Sequence, residues 1–180
     1  MNKEVENYLQ KIGLTDDDIK RLVKSEKQKT ASMCYAVNEY GEYLFLIREK
    51  EPFKSYIVPP GGKTEPGENP AQTCIREYME ETGIRLDVPV LRVITSEDGP
   101  ENYNWLLFIY TAQIQRQKLV KCDEGRLLWI KNGDVFSNKI SDIDRIIFSQ
   151  YLFLPQISIL DITYDINLKV KISLIKNHKN

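Results

Sequence analysis

Histidine is almost absent from this chain. Among 180 residues there is one, His178, near the C-terminus. Its scarcity removes the Ser-His-Asp triad, the Cys-His pair and histidine-built zinc sites from the available mechanisms. Cysteine is scarce as well. Cys34, Cys74 and Cys122 lie far apart and offer neither zinc-ligand spacing nor a disulfide framework, so a reducing, cytoplasmic setting is expected. No apolar run is long enough to span a bilayer, and residues 1–12 are too polar for a signal peptide, so no membrane partner is expected. An excess of one charge is also missing. With 25 basic and 26 acidic residues the net charge is −1, which argues against a broad nucleic-acid surface. The locally basic tail (Lys169, Lys171, Lys176, Lys179) reads as a solvated face. Glutamates and a metal are what remain for catalysis.

Residues Gly62 to Ile84, GKTEPGENPAQTCIREYMEETGI, carry the strongest signal. Their fixed points are Gly62, Glu68, Arg76, Glu77, Glu80, Glu81 and Gly83. On a helix, Glu77, Glu80 and Glu81 are neighbours on one face, because residues three and four apart stack there. Like charges so placed repel by roughly 0.2–0.5 kcal/mol per pair. Arg76 offsets part of this, and a hard, oxygen-seeking ion such as Mg²⁺ would offset it better. Ala71, Cys74, Ile75, Tyr78 and Met79 recur at helical spacing and are expected to face a core. Tyr56-Ile57-Val58 reads as a short strand, stopped by Pro59-Pro60 and followed by the pliable Gly61-Gly62. Asn69-Pro70 gives an N-cap with proline at the first helical position, and Gly83 ends the helix.

Elsewhere the pattern is mixed. Residues 1–28 read as two short helices. Val5, Tyr8, Leu9 and Ile12 share one face, Gly13 breaks it, and the Thr15–Asp18 cap precedes Ile19, Leu22 and Val23. This extension is a candidate packing appendage, dimer contact or cover for the site. Strands are expected over 31–37 and 43–48, around the turn Asn38–Gly41, and over 88–95, 105–113 and 126–131. Residues 96–102 read as a loop. The strand at 105–113 is too continuous to be an edge. Residues 141–152 read as a helix with Ile143, Ile146, Ile147 and Tyr151 on one face. Apolar alternation through Ile157, Ile159, Ile162, Tyr164, Ile166, Leu168, Val170 and Ile172 suggests a terminal hairpin. The whole is expected to be an α/β sandwich.

The glycine-and-glutamate pattern of residues 62–84 resembles the signature box of the Nudix hydrolases, which cleave nucleoside diphosphates linked to another group. Every charged and glycine position is present. Tyr78 stands where the family usually has an aliphatic residue. The acidic stretch Lys121–Gly125, Trp129 and the hairpin around Tyr164-Asp165 extend the resemblance toward MutT-type 8-oxo-dGTP diphosphatases of Gram-positive bacteria, over about residues 31–172. The resemblance implies a Nudix-type α/β/α sandwich with a mixed sheet (29–180), carrying the helical extension (1–28) and a C-terminal hairpin.

It also implies roles. Glu77, Glu80 and Glu81, with the Gly61 carbonyl, are the expected ligands of Mg²⁺, or alternatively Mn²⁺. Glu68 and Arg76 would pair to hold the loop against the helix. The catalytic base is expected from Glu77 or Glu80 in the box, or from Glu124, favoured over Glu101 and Glu97 outside it. Lys63 would reach a phosphate. Asp144 and Asn104 are candidates to read a purine, while Trp105, Tyr35 and Phe45 read more readily as core. The implied reaction is hydrolysis of a nucleoside triphosphate to monophosphate and pyrophosphate, with 8-oxo-dGTP as the leading substrate. ADP-ribose, a nucleotide sugar or an RNA 5′ end are alternatives of the same chemistry. A non-catalytic nucleotide sensor is the alternative of another class. The expected partners are a nucleotide and, as a candidate, a second copy of the chain.

Overall fold

The computed structural model describes residues 2–25, 27–51, 53–167 and 169–179. Leu168, one member of the expected alternation, lies outside the described residues. The elements run α1 (Lys3–Lys11), α2 (Asp16–Leu22), β1 (Lys29–Val37), β2 (Glu42–Arg48), β3 (Ile57–Val58), β4 (Gly61–Lys63), α3 (Pro70–Thr82), β5 (Val90–Gly99), β6 (Tyr103–Gln113), β7 (Gly125–Lys131), α4 (Asp142–Ile146), β8 (Ile157–Tyr164) and β9 (Val170–His178). The strands form one mixed sheet in the order β3-β2-β1-β6-β5-β8-β9, with β4 also on β1 and β7 also on β2. The β1–β6 and β5–β8 pairs are parallel and the other pairs antiparallel. β6 is central, as its unbroken apolar run requires.

Both sheet faces are covered, so the fold is an α/β sandwich. Val5, Leu9 and Leu22 of the first two helices pack with Cys34, Cys74, Tyr78 and Phe108 in one apolar cluster. Tyr35, Phe45, Val93, Ile109, Phe148 and Leu160 form the other, under α4. Residues 3–22 therefore share the domain's core. Polar ties add to this packing: Lys176 Nζ meets Asp18 Oδ2 at 2.7 Å, and Ser96 Oγ donates to the Leu22 carbonyl at 2.6 Å. The lone His178 donates from Nε2 to the Ile12 carbonyl at 2.7 Å, a structural task. Among the described residues no helix is long and apolar enough to cross a membrane.

Three expectations change. β5 continues to Gly99, so residues 96–99 are strand rather than loop; cross-strand pairing from Ser96↔Leu106 to Gly99↔Tyr103 overrides the local turn chemistry. The 141–152 helix is α-helical only to Ile146 and then widens into a π-turn over Ile147–Tyr151, closed by the Leu152 N–H on the Ile147 carbonyl. That widening buries the adjacent Ile147 and Phe148 together. Met79 is 47% exposed, not core; it sits at the margin of the apolar stripe, whose centre is Cys74 and Tyr78.

Candidate active site

Helix α3 begins where its sequence dictates. The Asn69 side chain accepts from the Ala71 and Gln72 N–H groups, and Gln72 returns a bond to the Asn69 N–H. Gly83 ends it at φ 72°, a left-handed cap. The helix lies behind β4 and β1, and Ser32 Oγ on β1 donates to the Pro70 carbonyl at 2.8 Å. Its acidic face therefore looks toward the Gly61-Gly62 bend. A Cβ on Gly62 would stand 2.4 Å from the Glu77 carboxylate, and one on Gly61 would stand 2.3 Å from the Ser32 carbonyl. Only glycines let the bend lie this close to helix and strand.

Arg76 is the clasp of this arrangement. Its Nε and Nη2 donate to the two oxygens of Glu68 at 2.6 and 2.9 Å, and Nη2 also donates to the Lys63 carbonyl at 3.0 Å. Nη1 reaches Glu77 at 2.9 Å and Glu80 at 3.1 Å. These bonds hold the Glu68 carboxyl below the usual range and raise the guanidinium further. Asn2, the cap of α1, donates to the carbonyls of Glu65 and Glu68, bracing the loop from outside.

A cleft of about 710 Å³ opens beside the bend. Glu77, Glu81 and Glu124 line it, together with Arg48, Lys29 and Lys63. Glu81 accepts the Gly61 N–H at 2.8 Å. Burial pushes the Glu81 carboxyl up to about 7 against the pull of that N–H, and Glu124 and Glu77 add repulsion. Burial likewise raises Glu77, although Arg76 pulls the other way. Glu124, from the loop before β7, meets Arg48 Nη1 at 3.4 Å. Glu80 does not line the cleft. Its side chain is 59% exposed and Arg76 holds it outside.

The opposite end is built by β5, β6, β8 and the start of α4. Strand alternation puts Tyr103, Trp105, Leu107 and Ile109 of β6 on the cleft wall, with Glu97, Tyr164, Ser141, Ile143 and Asp144. Glu97 accepts from Thr95, Tyr103 and Tyr164, and Asp144 from Tyr35 and Ser141. Burial raises both carboxyls.

The structure thus brings Gly61, Lys63, Glu77, Glu81, Glu124 and Asp144 to one cleft, and Glu97 to its far end, away from the box. Trp105 lines the cleft rather than filling the core, since β6 presents it on the open face. The same alternation turns Asn104 away: it faces the other side of the sheet, where its Nδ2 donates to Ser25 Oγ at 2.8 Å. Glu101 sits exposed in the β5–β6 turn at φ 54°. Sequence reasoning missed Lys29, Arg48 and Tyr103. Lys29 could have been found by carrying the β1 alternation back from Ala31 and Met33.

Among the described residues no three acidic side chains stand close enough to hold a metal ion as they are placed. The donor set nonetheless fits a hard divalent ion in kind: carboxylate oxygens in a glycine-lined cleft, with Glu124 disfavouring the charge of Glu77 and Glu81.

The NUDIX domain model matches residues 27–145. A curated relative, the uncharacterized Nudix hydrolase YvcI of Bacillus subtilis (strain 168), is 34% identical over 91 residues, which is 48% of this chain and 58% of that protein. The chain therefore spans less than two thirds of that relative's length. Among solved structures, the mutator MutT protein of Bacillus halodurans is similar with a TM-score of 0.71 and 28% identity, covering 82% of this chain and 97% of that one. MutT from Methanosarcina mazei Go1 shares the fold, with a TM-score of 0.61 and 20% identity over 70% of this chain and 95% of that one.

Proposed function

The chain belongs to the Nudix family, and we propose that it hydrolyses a pyrophosphate bond in a nucleoside triphosphate, releasing monophosphate and pyrophosphate, with oxidised purine nucleotides such as 8-oxo-dGTP as the preferred substrates. One observation carries this reading: three carboxylates at one end of a single cleft and an aromatic, hydroxyl-lined recess at the other. Its dimensions suit a nucleotide, with phosphates at the box and the base in the recess. The similarity to the Bacillus halodurans MutT protein supports a MutT-like Nudix hydrolase. The three free cysteines accord with a cytoplasmic setting.

Glu77 and Glu81 are the residues that would hold a divalent cation, Mg²⁺ or Mn²⁺, together with the Gly61 carbonyl; Glu80 would join them by leaving Arg76. Bound there, the cation would neutralise phosphate charge and make water a better nucleophile. The chain's own residues supply the rest. Glu68 and Arg76 fix the loop and keep Glu77 oriented. Lys63 and Lys29 bring positive charge to the phosphate path. Glu124 would serve as the base that takes a proton from the attacking water, with Arg48 Nη1 3.4 Å from its carboxylate. Asp144 contributes to reading the purine.

The test is a panel of dNTPs, 8-oxo-dGTP, ADP-ribose and 5′-triphosphorylated RNA with Mg²⁺, following monophosphate, pyrophosphate and phosphate. Fastest release of pyrophosphate from 8-oxo-dGTP is expected. Tight nucleotide binding without turnover of any substrate would overturn the reading and leave a sensor.

A further inference from the structure

Glu97 is 2% exposed. Thr95 Oγ1 donates to its Oε1 at 2.8 Å, and the hydroxyls of Tyr103 and Tyr164 each donate to its Oε2 at 3.0 Å. Three neighbouring strands deliver these groups, and the two tyrosine rings meet edge to face with centroids 5.2 Å apart. On the same wall Asp144 accepts hydrogen bonds from the Tyr35 and Ser141 hydroxyls, at 2.8 and 2.5 Å. Three hydroxyls converge as donors on Glu97 and two on Asp144, so each commits its single proton to the acid and turns its lone pairs elsewhere. For Tyr103 and Tyr164, which line the cleft, that direction is the ligand. This end of the cleft is therefore a wall of acceptors.

The rest of the row gives the ligand its direction. Lys29, Trp105 and Glu97 are register partners on consecutive strands, β1, β6 and β5, spaced about 4.8 Å apart. The Lys29 ammonium lies 5.3 Å from the Trp105 ring centre and that of Lys63 6.0 Å. Cations stand on one side of the indole and the acid on the other. A nucleotide crossing Trp105 would send its phosphates toward the lysines and its ring edge toward the tyrosines.

We infer that Glu97 is a positioning residue that locks Tyr103 and Tyr164 as hydrogen-bond acceptors, so that this end of the cleft selects ring edges rich in donors. Guanine is such a ring, with N1–H beside the 2-amino group, and oxidation at C8 adds an N7–H. The inference rests on the nucleotide reading above for the direction of the ligand, but not on hydrolysis.

Calorimetric titration of the full chain with GMP and with IMP, which lacks the 2-amino donor, tests it. The natural protein should prefer GMP by about 10- to 100-fold, the effect of one unmatched buried hydrogen-bonding group. In Glu97→Gln the amide donates to one tyrosine and frees that hydroxyl to point its own proton into the cleft, so the preference should shrink to about threefold or invert. Tyr103→Phe and Tyr164→Phe should each reduce it, and they carry the test if the glutamine variant fails to fold. Equal binding of GMP and IMP by the natural protein overturns the inference. So does a uniform loss of affinity across the variants with the ratio unchanged, which is what a merely structural role predicts. Selective binding without hydrolysis of any nucleotide would keep this inference and sink the proposed function. Hydrolysis of GTP and ITP with equal kcat/KM would do the reverse.

Discussion

At the α3 end of the cleft, Glu77, Glu81 and Glu124 face one another across a glycine bend, with Arg76 and Arg48 as their cations. At the β5–β8 end, the buried Glu97 and the half-buried Asp144 face neutral hydroxyls. The same functional group is frustrated at one end and satisfied at the other. Carboxylates that raise one another's protonation gain from a bound cation, whereas carboxylates surrounded by hydroxyl donors are already paired and serve to orient those donors. Partners, rather than residue type, divide the cleft into the end proposed for catalysis, the catalytic end, and the end proposed to read the base, the reading end.

Glu81→Gln should break the comparison most. The amide can still accept the Gly61 N–H, so the fold survives, but the charge is gone. A fall in kcat/KM of about 10²–10⁴-fold is expected, with the preference for GMP over IMP intact in a binding assay. Glu97→Gln should show the complement, a change in KM that depends on the ring. If Glu81→Gln turned over at the natural rate, the assignment of the catalytic end would be wrong. Gly62→Ala comes next. Its Cβ would stand 2.4 Å from the Glu77 carboxylate and must displace it. A loss of about 10²-fold in kcat, with little change in melting temperature, would show that position rather than stability is at stake.

The two ends were unequally visible in the sequence. The catalytic end sits on one helix, so the spacing of Glu77 and Glu81 translates into a shared face, and the cap at Asn69 and stop at Gly83 fix its limits. The reading end is assembled from β5, β6, β8 and α4, whose side chains meet only through strand register. Nothing local to Glu97 announces Tyr164, 67 residues away. The alternation of β6 was readable, and it shows why Trp105 and Asn104 cannot both face a ligand. The sequence alone did not say which face was open, because both faces of the sheet are covered and both read as apolar. Glu80 departs for another reason: helical spacing places it beside Glu77, but Arg76 draws it to the exposed side.

Acid–base behaviour should separate the ends without mutating catalysis. Glu81 is raised from 4.5 to about 7 in the fold, so between those values the folded chain holds more protons than the unfolded one. Stability of the metal-free protein must therefore fall as pH rises from about 5 to 8. A drop in Tm of roughly 5–10 °C is expected, matching a change of about 2.5 kcal/mol in a domain of this length. Saturating Mg²⁺ favours the charged carboxylates and should flatten that part of the slope. Burial raises Glu97 and Asp144 in the same direction, so they add to the loss of stability above the usual carboxylate range whether or not Mg²⁺ is bound. Glu97→Gln should reduce the residue of the slope and Glu81→Gln should not. A slope in Mg²⁺ that ignores Glu97→Gln would contradict the division.

The smallest effect concerns tyrosine hydroxyls. Tyr103 and Tyr164 end on Glu97, whereas Tyr78, fully buried on the core face of α3, has no partner for its hydroxyl among the described residues. A buried hydroxyl without a partner costs about 1–3 kcal/mol, and one that is bonded contributes about 1. Tyr78→Phe should therefore leave activity untouched and raise Tm by about 2–4 °C, while Tyr164→Phe lowers Tm by a similar amount. Thermal melts of the two variants decide the matter. A lower Tm in Tyr78→Phe would mean that its hydroxyl is bonded after all, and that the departure of Tyr78 from the family's aliphatic residue does more than fill space.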